Sequence, residues 1–115
     1  MKTFKPNDEE EWHEYRRQHL TSTELAGIHL SRTARAWQEL REQKETGKRW
    51  GGNDYTVWGT GREPVLAPLV VDVDSRLDYN ADPQTIIINP DDDRLCGTPD
   101  LFSEDGGVIS EIKTA

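Results

Sequence analysis

Two acidic residues and one lysine near the end of the chain have the types and spacing of a phosphodiester-cleaving metal site. Asp100 follows Pro99, and ten further residues separate it from Glu111, which Lys113 follows after one intervening residue. Carboxylate oxygens are ligands that Mg²⁺ and Mn²⁺ prefer, and an ammonium group beside them can orient water and stabilise a charged transition state. This chemistry requires the three side chains to meet at one point.

A predicted β-hairpin brings these residues together. Asp105-Gly106 is a signal for a two-residue type I′ turn, which would pair Phe102 with Ile109. Asp100 then lies opposite Glu111, with Cβ atoms roughly 4.5–5.5 Å apart. A four-residue loop would preserve this register, whereas a three-residue loop would break it.

Alternation along the second strand places Lys113 on the face of Glu111 and turns Ile112 to the other face. Opposed carboxylates destabilise a hairpin unless a cation lies between them, so this arrangement predicts a divalent metal ion. The competing interpretation is an acidic surface hairpin with a solvated Glu111–Lys113 pair. The apolar segments 101–102 and 108–109 indicate buried strands and favour the metal site.

The composition predicts one small domain. The chain has 115 residues, of which 33% are hydrophobic and 31% charged, and its mean hydropathy is −0.86. The core is therefore expected to be small. With no apolar run of membrane-spanning length and no signal peptide, we expect a soluble cytoplasmic protein without a membrane partner. The single cysteine, Cys96, excludes an internal disulfide and a cysteine-ligated iron–sulfur cluster, and we expect it in a buried strand.

The net charge of −8 is unevenly distributed. Residues 1–62 hold eleven Lys/Arg and ten Asp/Glu, a balance of +1, whereas residues 63–115 hold three Lys/Arg and twelve Asp/Glu, a balance of −9. Bound metal would neutralise part of the acidic half. A surface that faces phosphates, if the protein has one, is expected in the first half.

Two helices predicted near the N-terminus frame a possible anion site. A capping box at residues 21–24 opens a short second helix that runs toward Leu30. Its first turn offers backbone N–H groups and the hydroxyls of Ser22 and Thr23, and Arg16 lies about one turn before the corner. Simple helix capping with a solvated Arg16 explains the same pattern equally well.

Periodicity and turn signals predict the remaining elements. The first helix is predicted over residues 7–20, with Asn7 and Glu10 as its cap and Trp12, Tyr15 and His19 as its packing residues. A further helix is predicted over 33–46, with an inner stripe of Ala34, Trp37 and Leu40 and an end at Gly47, and another over 60–67, which carries Glu63 and ends at Pro68. The other predicted elements are a loop over 50–54, a strand over 70–74, a turn over 80–83, a strand over 84–89 covered on both faces, a solvated turn over 89–93, and a final hairpin of residues 94–102 and 108–113.

Four segments in this order resemble the PD-(D/E)xK nucleases and, within them, the lambda-type phage exonucleases, also called YqaJ-like viral recombinases. Pro99-Asp100 followed by Glu111-Ile112-Lys113 is similar to the superfamily signature. Trp58-Gly59-x-x-x-Glu63 resembles the upstream acidic motif of that branch. Arg16 followed by residues 20–24 resembles its N-terminal Arg … Ile-Thr-Ala-Ser-Glu segment. The resemblance extends over essentially the whole chain.

The resemblance implies an α/β fold with a restriction-endonuclease-like core, in which N-terminal helices pack on a small mixed β-sheet. It implies a single nuclease domain over residues 1–115, with a helical DNA-end-binding part at 1–50 and a catalytic sheet part at 51–115. Family members continue after the Glu-x-Lys motif with a helix that carries Gln and Tyr, and then with further strands. We therefore expect the C-terminal part of the fold to be missing from this chain.

The resemblance also implies the roles of the acidic residues and the lysine. Asp100, Glu111, Glu63 and the backbone carbonyl of Ile112 would ligate Mg²⁺ or Mn²⁺. Lys113 would position or help to deprotonate the attacking water and would stabilise the transition state.

At the other end of the chain, the resemblance implies that Arg16 and a hydroxyl at the start of the second helix bind the 5′-phosphate of a DNA end. The serine of the family aligns with Thr23, whereas Ser22 stands where alanine is usual. Either hydroxyl could therefore make the contact.

The leading hypothesis is thus a metal-dependent exonuclease for linear double-stranded DNA in phage recombination, or the N-terminal portion of one, acting in the host cytoplasm. Candidate partners are a single-strand annealing protein and further copies of the chain. Two alternatives stay open: a non-catalytic remnant that binds DNA ends or a partner, and a RecB-like or restriction-type endonuclease on the same fold. The lack of a cysteine cluster argues against the iron–sulfur RecB-like group.

Overall fold

A computed structural model describes residues 2–47 and 54–113, which form a mixed α/β structure with four helices and two small sheets. The elements are β1 (Lys2–Phe4), α1 (Glu9–Arg17), β2 (Leu20–Thr21), α2 (Ser22–Ser31), α3 (Ala34–Thr46), α4 (Asp54–Val73), β3 (Leu77–Tyr79), β4 (Ile86–Ile88), β5 (Leu95–Gly97), β6 (Leu101–Ser103) and β7 (Ile109–Ser110).

These elements fall into two compact units. The helical unit contains residues 2–47 and 83–98, and the hairpin unit contains residues 54–82 and 99–113. The division predicted at residue 50 differs from this one, because strands in residues 83–98 pair with strands near the N-terminus.

The sheet of the helical unit has the strand order β1-β4-β5-β2. β4 runs antiparallel to β1 and β5, whereas β2 runs parallel to β5. The predicted strand over 84–89 is confirmed in its central three residues, of which Ile86 and Ile88 are buried and Ile87 is half-buried. Cys96 is buried in β5, as expected.

The first helix is shorter than predicted and begins at a different cap. Asp8, not Asn7, is the N-cap, and its side chain accepts a hydrogen bond from the Glu11 N–H at 2.8 Å. The helix ends at Arg17 because the chain then enters β2, so His19 lies beyond it. The ring of His19 stacks on Tyr15 with centroids 4.0 Å apart, so the two rings pack together even though His19 is not helical.

The second and third helices follow the capping signals closely. Thr21 and Glu24 form the predicted capping box of α2, and α3 has Thr33 as its N-cap and Gly47 at its C-terminal end with φ 72°. The predicted inner stripe of α3 is wrong at two positions, because Ala34 is exposed and Trp37 is 53% exposed, while Leu40 is half-buried.

Helix α4 corrects two predictions at once. It continues through Pro64 and Pro68 to Val73, where the sequence predicted a helix that ends at Pro68 and a strand over 70–74. A helix buries Ala67 with Val70 and Val71 against the sheet and leaves Val73 90% exposed. A strand would have placed residues 71 and 73 on one face. Of the loop predicted over 50–54, residues 50–53 lie outside the described residues, and Asp54 begins this helix.

The hairpin unit contains a three-stranded antiparallel sheet in the order β3-β6-β7. Its core is Ala67, Leu77 and Leu101, against which further apolar side chains pack. β3 was not predicted. The predicted strand over 94–102 is in fact two strands in different sheets, since β5 and β6 are separated at residues 98–100 around Pro99, which cannot donate to a strand ladder.

The register of the final hairpin is confirmed, although its predicted turn is wrong. Leu101 pairs with Ser110 and Phe102 pairs with Ile109. The connection is the four-residue loop 104–107, in which Gly106 has φ 74° and its N–H donates to the Ser103 carbonyl at 2.9 Å. Asp105 does not have the positive φ that a type I′ turn requires. Leu101 is buried, but Ile109 is 60% exposed, contrary to the expected burial of both strands.

Candidate metal centre and anion site

Asp100 directly precedes β6, the central strand of the hairpin-unit sheet. Because Leu101 pairs with Ser110, Asp100, which precedes β6, and Glu111, which follows β7, come next to this pair at the same end of the hairpin. The Ile112 N–H donates to Asp100 Oδ2 at 2.6 Å, which ties the carboxylate to the strand that carries Glu111. The predicted neighbourhood of Asp100 and the Glu-x-Lys segment is therefore present.

Glu63 reaches the same place from α4. Burial, the charge of Asp100, hydrogen bonding to the Asp100 side chain and the charge of Asp82 together raise the pKa of Glu63 to about 7. Hydrogen bonding to Tyr79 acts in the opposite direction. At neutral pH, Glu63 therefore holds a proton for part of the time, because it faces another carboxylate in a partly desolvated position.

Glu111 lies on the other side of the cluster. Burial and the charge of Asp100 raise its pKa, and the charge of Lys113 partly offsets that effect. The Lys113 Nζ is 3.7 Å from Glu111 Oε2, and the two side chains are 84% and 48% exposed. Ile112 packs toward the core, so the predicted alternation along this segment is observed.

Asp100 thus interacts with two further carboxylates, one from the helix and one from the hairpin. Within residues 2–47 and 54–113, no three histidine, cysteine, aspartate or glutamate side chains lie close enough together to hold a metal ion as positioned. The chemistry of the donors nevertheless fits Mg²⁺ or Mn²⁺, since all three groups are carboxylates and a cation would relieve the repulsion of Asp100 with Glu63 and with Glu111. The role predicted for the Ile112 carbonyl stays a prediction.

Three residues near this cluster were missed by sequence reasoning. Tyr79 and Asp82 act on Glu63, and Asn80 donates from its backbone to the Asp100 carbonyl at 2.8 Å and from Nδ2 to the Pro99 carbonyl at 2.9 Å. The sequence interpretation treated residues 80–83 only as a turn. The one available signal was an asparagine at the end of a short alternating segment.

Arg16, the predicted phosphate ligand, lies in the helical unit. Its Nη1 donates to Thr98 Oγ1 at 2.9 Å, and its guanidinium lies 4.4 Å from the centroid of the Trp12 ring. Burial lowers the pKa of Arg16 from its usual value, and the charge of Glu24 partly offsets that effect. The alternative of a freely solvated Arg16 is therefore wrong, because the side chain is held between a hydroxyl and an aromatic ring.

Ser22 lies beside the segment that Arg16 contacts. A Cβ atom added at Gly97 would be only 3.2 Å from Ser22 Oγ, so this hydroxyl lies against the residue before Thr98. Both Ser22 and Thr23 are exposed. The structure thus brings Ser22 and Arg16 to adjacent residues, Gly97 and Thr98. The choice between the Ser22 and Thr23 hydroxyls as phosphate ligand stays open.

A half-buried ion pair contacts the backbone around Arg16. Lys44 Nζ is 2.7 Å from Glu24 Oε1, and it also donates to the Arg16 carbonyl at 2.7 Å. The same Glu24 oxygen accepts from the Thr21 N–H at 2.9 Å. These contacts connect α1, α2 and α3 and position the backbone around Arg16.

In the part of the chain that the structure describes, no helix is long and apolar enough to cross a membrane. Comparison with protein-family models, with curated proteins and with solved structures finds no match to this chain.

Proposed function

We propose that this chain is a divalent-metal-dependent deoxyribonuclease of the lambda-type phage exonuclease kind, which hydrolyses phosphodiesters of linear duplex DNA. The observation that carries the proposal is that Asp100 interacts both with Glu63 from α4 and with Glu111 from the hairpin, while the Ile112 N–H donates to Asp100 Oδ2 at 2.6 Å. Structural acids rarely face one another in this way, whereas active sites commonly gather groups with perturbed pKa values.

In this proposal, Asp100, Glu111, Glu63 and the Ile112 carbonyl hold Mg²⁺ or Mn²⁺. When bound, the ion supplies a Lewis acid that polarises a phosphoryl oxygen and lowers the pKa of water. Asp100 is suited to a central role because its main chain and one carboxylate oxygen are both hydrogen-bonded. A ligand held in this way needs little reorganisation to bind.

Lys113 is the proposed residue that contacts water and the reacting phosphate. Its exposed ammonium, 3.7 Å from Glu111, can donate to a phosphate oxygen or to a water molecule beside the carboxylates. The same exposure lets DNA reach it. Lys113 would thus orient the attacking water and counter the negative charge that develops on phosphorus-bound oxygens.

Arg16 and Ser22, with Thr23 as the second choice, are the proposed ligands of the DNA 5′-phosphate. A guanidinium provides a forked set of donors that matches phosphate oxygens, and a hydroxyl at a helix start adds another. The bond to Thr98 uses one Nη1 donor of the five in the guanidinium, so further donors are available for an anion.

The test is metal-dependent degradation of linear 5′-phosphorylated duplex DNA. Asp100→Ala and Lys113→Ala should each reduce the rate at least about a hundredfold, since each removes a group on the reaction path. Asp78→Ala is the matched control, because Asp78 is an exposed acid of the same sheet. Equal digestion by the wild type and both site variants would refute the nuclease proposal, and cutting of circular DNA would indicate an endonuclease.

A second candidate function is a non-catalytic module that binds DNA ends. One observation favours it: among the described residues, Glu63, Asp100 and Glu111 do not lie close enough together to form a three-ligand metal site. The same assay separates the two, since a binding module would protect 5′-phosphorylated ends from an added exonuclease, would lose this protection on Arg16→Ala, and would not digest DNA.

A further inference from the structure

Asn80 is a buried polar residue next to the acidic cluster. It follows the last residue of β3, and only 3% of its surface is exposed. Because a buried amide must form hydrogen bonds to offset the loss of water, its partners indicate which part of the fold it serves.

Two of its hydrogen bonds go to consecutive carbonyl groups across the sheet. The Asn80 N–H donates to the Asp100 carbonyl at 2.8 Å, and Nδ2 donates to the Pro99 carbonyl at 2.9 Å. The first bond continues the pairing of β3 with β6, in which Tyr79 faces Leu101. The second hydrogen bond comes from the side chain, so it is lost when Asn80 is replaced by a residue whose side chain cannot donate to the Pro99 carbonyl.

Asp100 is therefore held from both neighbouring strands. From the β3 side, Asn80 holds the carbonyls of Pro99 and Asp100. From the β7 side, the Ile112 N–H holds Asp100 Oδ2 at 2.6 Å. Because Pro99 has no N–H, its carbonyl is the one backbone group through which Pro99 can form a hydrogen bond, and Asn80 Nδ2 donates to that carbonyl.

We infer that Asn80 is a positioning residue that sets the direction of the Asp100 carboxylate. This inference deepens the proposed function and rests on it, because a fixed carboxylate matters most where it ligates a cation. Residues that orient metal ligands in this way typically contribute about tenfold to a hundredfold in metal affinity or activity.

The test compares Asn80→Ala, and the milder Asn80→Ser, with Ser103→Ala. Ser103 is also buried, and its hydroxyl forms two hydrogen bonds at the far end of the same hairpin, to the Asp105 side chain and from the Val108 N–H. Loss of the Ser103 hydroxyl should destabilise the hairpin without changing the position of the Asp100 carboxylate. It therefore controls for general loss of stability.

Two measurements report on the position of Asp100. The amide proton shift of Ile112, measured by NMR without added metal, follows its bond to Oδ2, and calorimetric titration with Mn²⁺ follows ligation. We expect both Asn80 variants to move the Ile112 resonance upfield and to weaken Mn²⁺ binding about tenfold or more. Ser103→Ala should change neither.

An Ile112 shift and a Mn²⁺ affinity that stay at the wild-type values in Asn80→Ser would overturn the role of Asn80 and leave the nuclease proposal intact. The opposite failure is also visible. A wild-type chain that binds no Mn²⁺, with an Ile112 shift that still depends on Asn80, would refute the metal site while supporting Asn80 as the residue that positions Asp100.

Discussion

The half-buried ion pair in the helical unit and the acidic cluster in the hairpin unit use charge in opposite ways. Glu24 contacts Lys44 at 2.7 Å and also caps α2, so its charge is balanced inside the protein. Glu63 is partly buried and interacts with Asp100, and burial together with the charge of Asp100 raises the pKa of Glu63 to about 7. The first arrangement stabilises the fold, whereas the second leaves repulsion that a ligand could relieve.

The hairpin unit also contains an acid whose charge is balanced. Asp74, also in the hairpin unit, has its pKa lowered to about 2 by hydrogen bonds from the side chain and backbone of Arg76. An acid in this unit can therefore have a basic partner two residues away. Carboxylates that face other carboxylates are what one expects where function rather than stability selects the residues.

The largest effect on stability is expected from breaking the balanced pair. Lys44→Ala leaves Glu24 without its cation and the Arg16 carbonyl without a donor, with both side chains only about a quarter exposed (23% and 24%). We expect a loss of about 2 kcal/mol in the free energy of unfolding, measured with urea. A loss under about 0.5 kcal/mol would mean that this pair is no more important than a surface one.

A ligand should stabilise the unbalanced cluster. Mg²⁺ at ten times its dissociation constant would add about 1.4 kcal/mol to the free energy of unfolding. Asp100→Asn should abolish this gain, because the variant removes the central charge while keeping the shape. The measurement is the unfolding temperature with Mg²⁺ and with EDTA, and an equal gain in the variant would place the ion elsewhere.

Removing one acid from the cluster should stabilise the metal-free protein. The shift of Glu63 from its usual 4.5 to about 7 corresponds to about 3 kcal/mol at most, and solvent screening of a partly exposed carboxyl reduces this to about 1 kcal/mol. Glu63→Gln should therefore be about 1 kcal/mol more stable than the wild type at pH 8 in EDTA.

The sign of the pH dependence follows from the direction of that shift. Because the folded pKa of Glu63 is raised, folding favours the protonated form, and the stability that it contributes is full below about pH 4.5 and is lost as pH rises through about 7. The advantage of Glu63→Gln should thus be near zero at pH 4.5, grow as pH rises through about 7 and become constant above about pH 8. An advantage that is independent of pH would show that charge is not its cause.

Sequence reasoning reached the hairpin register because the evidence for it is local. Residues 100–113 contain a turn and alternating side chains, and the four-residue loop preserved the pairing of Leu101 with Ser110 even though the turn type was wrong. The capping box of α2 was predictable for the same reason, since Thr21 and Glu24 are three residues apart.

What could not be predicted depends on contacts between distant residues. Pro64 and Pro68 indicated a helix end, but burial of Ala67 against Leu77 and Leu101 keeps α4 continuous. Asn80 acts on a carbonyl nineteen residues away, and no local pattern connects the two. The acidic residues of the candidate site were therefore found from sequence, whereas the residue that positions Asp100 was not.

The smallest effect is expected from breaking an exposed ion pair, which can be compared with the half-buried Glu24–Lys44 pair. Arg35 Nε is 2.9 Å from Glu39 Oε1, almost the distance of the Glu24–Lys44 pair, but these two side chains are 87% and 56% exposed. Water and salt screen such a pair, so Arg35→Ala should cost only about 0.3 kcal/mol, and 0.5 M NaCl should remove most of that difference. A loss comparable to that of Lys44→Ala would show that distance, rather than burial, sets the value of a charge pair in this protein, and the distinction between the two regions would then fail.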